Sequence, residues 1–447
     1  MPATRGAELA ARRAAGAVPW SAGGIFRALG AATAALYAFF ATFPVEVPGL
    51  PARLNLVSAV LCVAALGWLV LLYRRVPLLG AGPGTVVRAL LFAGLLSVAA
   101  TGLMASAGAE DLGAAVSYSL RFVLGALLIM ATAGYAGDGQ ARVRQVTRAL
   151  LAGGVASVVL AVAGYVVPAI GATTIGVGRR AQALFDHPNQ LGMVLACLFP
   201  LALGRFLAAP ARVPRLLTMA LLAAGVVLSG SFVNTLLLAV GPLLVMVTTM
   251  SRRVSRARTI AVLGLTVALG TAVVVMGPDR LAEVSPRVAR MFVSLQEEGD
   301  LEDRLPSVHE RLQLYRVALE TWLERPLTGV GGDNAYLYLY NPSGRPISHA
   351  HNLFVNAALT TGTLGLLAMV AFAFGWVLLA LHLLLTRLAL TGGERFLARG
   401  VGAGLLLLFL SNQSSDSLSG TIAYPLWSLI GVGLLLVRRG AGARGQP

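Results

Sequence analysis

Apolar residues run through this chain in stretches of about twenty, parted by short polar breaks. Stretches of that length cross a bilayer as helices, because lipid offers the backbone no hydrogen-bonding partner. Twelve are expected, at roughly 23–43, 54–73, 86–107, 114–135, 147–169, 189–208, 213–230, 232–250, 258–276, 362–386, 397–413 and 420–437. Only Gly230 and Ser231 separate the seventh and eighth, which predicts a tight hairpin. The pattern fails over 278–350, a polar segment that holds more than half of the chain's 19 acids. The expected fold class is an all-α integral membrane protein with a helical subdomain on one side. Residues 1–276 supply spans one to nine, 277–350 the large polar loop, and 351–447 spans ten to twelve.

Inside that loop, helical periodicity runs from Ser307 to Glu324. Ser307 and Glu310 have capping-box spacing. Leu312, Tyr315, Leu319 and Trp322 recur on one face, expected to lie on the bundle or at its interface. Arg325-Pro326 ends the helix, and residues 327–332 form a turn. A weaker helix is expected over 280–295, interrupted at Pro286.

Composition agrees: 57% of residues are hydrophobic and 12% charged, against about a quarter charged in soluble domains. The net charge is +16 with no lysine, so every fixed cation is an arginine. Such an excess would suggest nucleic acid in a soluble protein. Here arginines at alternate span ends account for it, and no nucleic-acid partner is called for. Twelve spans place these arginines on one face, which the positive-inside rule makes cytoplasmic, together with both termini. Met1–Val18 carries no cleavage-type segment, and the first span is expected to remain. The opposite face carries Glu110, Asp111 and two loops, 171–188 and 278–350, with arginines where the rule disfavours them. Cys62 and Cys197 lie in apolar runs and suggest neither a disulfide nor a metal site. Abundant Gly and Ala read as close helix packing.

Four places carry candidate chemistry. His351 follows Ser348-His349-Ala350 and precedes Asn352, where the polar loop re-enters the membrane. A lone histidine is most often a surface or hydrogen-bonded residue. At a helix N-terminus, however, the dipole disfavours an imidazolium and leaves a neutral ring able to act as a base. His349 is either loop or a second member; H-x-H without a third ligand is weak evidence for zinc. Arg179 and Arg180 precede Asp186-His187-Pro188-Asn189, a turn expected to cap the next helix. They are either interfacial anchors or forks for phosphate oxygens. Arg311, in the first turn of the loop helix, opposes the helix dipole and reads either as a pair with a nearby acid or as functional. Arg121, inside the fourth span, is either a snorkelling residue or functional. Asp416 belongs to a further polar cluster with equal claims as loop and as substrate contact.

His351-Asn352, nine residues, and then Gly362-Thr363-Leu364-Gly365 resemble the H-[NSQ]-x9-G-x-x-G signature of the O-antigen ligase family. Glu310-Arg311 through Tyr315, and on to Pro326-Leu327-Thr328-Gly329-Val330-Gly331, resemble that family's GR-x3-W … hPl-GvG stretch. Glu310 replaces Gly and Tyr315 replaces Trp. Arg180 to Asn189 resembles its RasGtf-x2-PN stretch, with Ala183 in place of Gly. The resemblance implies a glycosyltransferase-C-like bundle in the bacterial inner membrane, with its site facing the periplasm. It implies an inverting glycosyltransferase that needs no metal and no cofactor. The donor would be a glycan on undecaprenyl diphosphate and the acceptor a sugar of the lipid A core; a polymerase would use a lipid-linked glycan acceptor instead. On this reading His351 is the base and Arg180 and Arg311 hold the diphosphate, with Arg179, His349, Asn352, Asn189 and Arg121 in support. A lipid-linked glycan transporter is the alternative from a different class.

Overall fold

The computed structural model describes residues 38–39, 84–135, 140–176, 179–208, 213–249, 306–341, 344–386, 388–414, 418 and 423–442. Its elements, in order, are α1 (Thr85–Ser106), α2 (Leu112–Tyr135), α3 (Gln140–Val166), α4 (Pro168–Thr174), β1 (Ile175–Gly176), β2 (Arg180–Ala181), α5 (Pro188–Leu207), α6 (Val213–Leu228), α7 (Phe232–Thr249), α8 (Pro306–Glu324), α9 (Leu353–Leu385), α10 (Gly392–Ser411) and α11 (Ala423–Gly442). Six helices are long and apolar enough to cross a membrane: α1, α2, α3, α5, α7 and α9. They answer the expected spans beginning at 86, 114, 147, 189, 232 and 362. The span expected at 213–230 is a shorter apolar helix, and α10 and α11 lie at the last two. The spans at 23–43, 54–73 and 258–276 and the helix at 280–295 fall outside the described residues, apart from Ala38 and Phe39.

The helices pack as two connected groups. α1 lies along α9 and α2, and α2 along α11. α5 is surrounded by α3, α6, α7 and α10. Nearly every residue of α5 is buried, which is why its sequence is apolar all round. Small residues set the closest approach: a Cβ on Gly400 would meet the Pro200 carbonyl at 2.5 Å, and one on Gly404 the Cys197 carbonyl at 2.5 Å. Shape fit at such small residues is a main adhesive between helices in lipid.

Arginines collect at one end. Arg144, Arg148, Arg205 and Arg215 line joined clefts there, Arg88 and Arg438 line another, and Arg439 pairs with Glu394 at 2.9 Å. Glu394 also closes a capping box with Thr391 at the start of α10. The other end carries Glu110, Asp111, the β1–β2 hairpin, α8 and the start of α9.

α8 runs over Pro306–Glu324; the capping box expected at Ser307 and Glu310 falls outside the described side chains. One expectation for this helix is corrected: the buried face is rotated. Leu314 (5% exposed) and Ala318 (0%) pack with Val330, Ala335, Leu339, Ala350 and Leu359. Leu312 (47%) and Leu319 (41%) point outward, leaving a second apolar stripe such as interfacial helices carry.

Candidate active site

α9 is two helices joined at a break. Gly362 has φ 68° and ψ −167°, a backbone region closed to residues with a Cβ. Leu353–Thr361 is thus a short, largely buried half-helix, and the remainder is the long span. The loop after α8 is spliced across the break. Val330 and Gly331 donate their N–H groups to the carbonyls of Leu359 (2.9 Å) and Thr360 (3.0 Å), and Thr363 donates backward to the Pro326 carbonyl (2.7 Å). The half-helix therefore keeps partners for carbonyls that the break would orphan.

Asn352 is the N-cap of the half-helix; its side chain accepts from the N–H groups of Phe354 (2.9 Å) and Val355 (3.2 Å). Asn and Ser in the second position of the H-[NSQ] pattern are good cap residues for this reason. Leu353 donates to the Asn412 carbonyl at the end of α10 (3.0 Å). His351 sits just outside the cap with φ 55°, a left-handed conformation uncommon for a non-glycine residue. It is half-buried, and its ring meets that of His349 edge-on at 4.4 Å between centroids. The His349 Nδ1 lies 3.0 Å from the Ser348 hydroxyl. Ala350 between them is buried and donates its N–H to Asn356.

α8 brings Arg311 to this end. Tyr315, one turn further on, is half-buried and its hydroxyl donates a long 3.4 Å hydrogen bond to the His351 carbonyl. Arg311 is half-buried. Burial pulls its guanidinium below its ordinary pKa, which Tyr315 and Glu310 partly offset. Among the described residues it has no ion pair or hydrogen bond. Burial in turn raises the Tyr315 phenol, with Arg311 opposing.

Arg180 is buried on β2, where Ile175–Gly176 pairs antiparallel with Arg180–Ala181. Its Nε donates to the Ser229 carbonyl (2.8 Å) and its Nη2 to the Asn189 side chain (2.6 Å). Asn234 donates to the Asn189 carbonyl (3.1 Å) and accepts from Ser411 (2.8 Å). Ser411 adjoins Asn412, which holds Leu353. A continuous ladder thus links Arg180 and Asn189 to the helix start beside His351. His187, as expected of that turn, is the N-cap of α5, with Pro188 in its first turn. Arg179 is exposed with φ 56°, and Ala183 has φ 52° where the family pattern carries Gly.

Arg121 takes a different part. It pairs with Asp333 and lies over the Tyr118 ring at 5.5 Å. The neighbouring Asn334 accepts from the Asp111 N–H (2.8 Å) and donates to the Asp111 carbonyl (3.1 Å), while Tyr338 donates to Glu110 (2.6 Å). These contacts fasten the loop to the α1–α2 turn. Asp333, Asn334 and Tyr338 escaped the reading of the sequence: their partners lie more than 200 positions away, beyond any local spacing. Asp416 lies outside the described residues.

No group of three or more metal-ligating side chains occurs among the described residues. What the cluster offers is a base-capable imidazole, a half-buried guanidinium across Tyr315, and a buried one joined through the ladder. No curated protein matches the chain. Residues 217–370 match the family described as O-antigen ligase, a stretch that runs from α6 into α9 and includes Arg311, His351, Asn352 and both glycines of the Gly362-x-x-Gly365 step. That domain supports membership of the O-antigen ligase family.

Proposed function

We propose that the chain is an inverting, metal-independent glycosyltransferase of the bacterial inner membrane. It moves O-antigen glycan from undecaprenyl diphosphate to a lipid A core sugar, with its site on the periplasmic side and both termini in the cytoplasm. The acceptor hydroxyl attacks C1 of the donor sugar while His351 takes its proton. The bond from C1 to the diphosphate oxygen breaks with its electron pair leaving on the diphosphate, and the anomeric configuration inverts. Arg180 and Arg311 meet the charge that develops there. Guanidinium forks held in place before the reaction stabilise such charge without reorganisation. His349 and Asn352 keep His351 oriented; Asn189 keeps Arg180 oriented. Arg179 lies at the rim, and Arg121 supports through the loop it holds.

The observation that carries this reading is Arg311. A half-buried cation with no ion pair among the described residues is costly unless an anion arrives, and Tyr315, one turn on, reaches the carbonyl of His351. The family supports ligase or polymerase chemistry alike, so the acceptor is decided by experiment. Purified protein would be given the lipid-linked glycan with either lipid A core or a second lipid-linked glycan. A glycan–core conjugate, lost in His351→Ala, is expected. Chain extension of the lipid-linked glycan alone would make it a polymerase; no conjugate in either case, with donor flipped in proteoliposomes, would make it a transporter.

A further inference from the structure

The arginine-rich end holds a cleft that the reaction does not use. It lies between α3, α5 and α6, with a volume of about 400 Å³, and Arg148, Arg205 and Arg215 line it. An adjoining cavity of about 150 Å³ shares these three and adds Arg144. The half-buried Arg205 faces Arg148 and Arg215, so like charges converge. The acid that reaches this region, Glu394, is already bound to Arg439 and Thr391. Among the described residues neither Arg148 nor Arg205 has an ion pair. Mutual repulsion of this kind is held in place at low cost only when an anion occupies the gap.

The rest of the lining says which anion. Leu151 and Val155 on α3 and Thr218 on α6 continue the cleft away from the arginines. Val155 lies about 10 Å deeper along α3 than Arg148, at 1.5 Å per residue. A charged mouth leading into an apolar groove between spans suits a molecule with a phosphate at one end and hydrocarbon at the other. We propose that this cleft is a site for an anionic glycerophospholipid of the leaflet on the arginine-rich side. Its phosphate would take the guanidinium forks of Arg148, Arg205 and Arg215, and one acyl chain would lie along Leu151 and Val155. The site seals a wedge in the bundle where charge would otherwise push α3, α5 and α6 apart.

The test uses the full chain in a neutral detergent. Thermal unfolding and native mass spectrometry would be run with phosphatidylglycerol, with phosphatidylcholine of the same chains, and with inorganic phosphate. A saturable rise in Tm and a retained bound lipid are expected with phosphatidylglycerol alone. Arg205→Gln should weaken that binding about tenfold or more while leaving the lipid-free Tm unchanged or higher, because a repulsion is removed. Arg438→Gln removes an equal charge outside the cleft and should keep the response. Should Arg205→Gln fail to fold, the exposed Arg148→Gln carries the same expectation. An equal response to phosphatidylcholine, an equal loss in Arg438→Gln, or full stabilisation by inorganic phosphate would each overturn the assignment. None of these outcomes bears on the glycosyl transfer proposed at the opposite end.

Discussion

Gly329 and Gly362 pass so close that a Cβ on the first would lie 2.8 Å from the backbone nitrogen of the second. A Cβ on Gly362 would in turn meet the Leu327 carbonyl at 2.3 Å. Two glycines far apart in sequence are required by one crossing of backbones. Gly362→Ala meets both a forbidden φ/ψ and a clash with main chain, and is expected to cost about 3 kcal/mol or more. The measurement is folded yield and Tm; a variant within a degree of wild type would contradict the geometry.

Asn352 separates capping from chemistry. Asn352→Ala removes the acceptor for two N–H groups and should cost about 1 kcal/mol. Asn352→Ser should restore Tm and most turnover, since serine caps equally well. If Asn352→Ser were as inactive as His351→Ala, the amide would be touching substrate rather than holding the helix start.

At Arg311, Arg311→Lys keeps the charge but loses the fork. Its Tm should stay near wild type while turnover falls by about 10²-fold, the scale for losing one oriented donor to developing charge. Unchanged turnover with lysine would assign Arg311 a structural part.

The Arg121–Asp333 pair is largely buried, so removing one partner strands the other. Asp333→Ala should destabilise by about 2–4 kcal/mol, and Arg121→Met with Asp333→Ala should recover much of the loss. Additive losses in the cycle would mean that the two side chains do not interact.

Alkaline pH offers a further check. Burial raises the Tyr338 phenol above its ordinary value of 10.0, and its hydrogen bond to Glu110 adds to this; Tyr315 is raised by burial. The folded state then keeps protons that the unfolded chain has lost, so stability falls as pH rises past the unfolded value. Their contribution is complete below that pH. The double variant Tyr315→Phe/Tyr338→Phe should flatten the alkaline limb of a Tm–pH curve, and an unchanged slope would count against both shifts.

The six spans found among the described residues were legible because lipid imposes one rule along each of them, and α5 shows it at its strongest. The α8 helix was legible as a helix, but its inward face was not. It has two apolar stripes, and periodicity alone does not say whether Leu314 or Leu312 meets protein. The place of Arg121 could not be read at all, because Asp333 reaches it only after the whole loop has docked. His351 and Arg311 stood out as residues that break local rules at a membrane edge. The left-handed backbone at His351 and Ala183 was not visible, since neither is a residue type that announces it.

The bonds on either side of Gly362 turn what would be a swivel into a weld. Val330 grips the short half-helix and Thr363 grips Pro326 from the long one, so the segment that follows α8 is bonded to both parts of α9. These bonds oppose separation of the imidazole at residue 351 from the guanidinium at 311. On the proposed function, a bulky sugar chain would then enter and leave by yielding of some other wall.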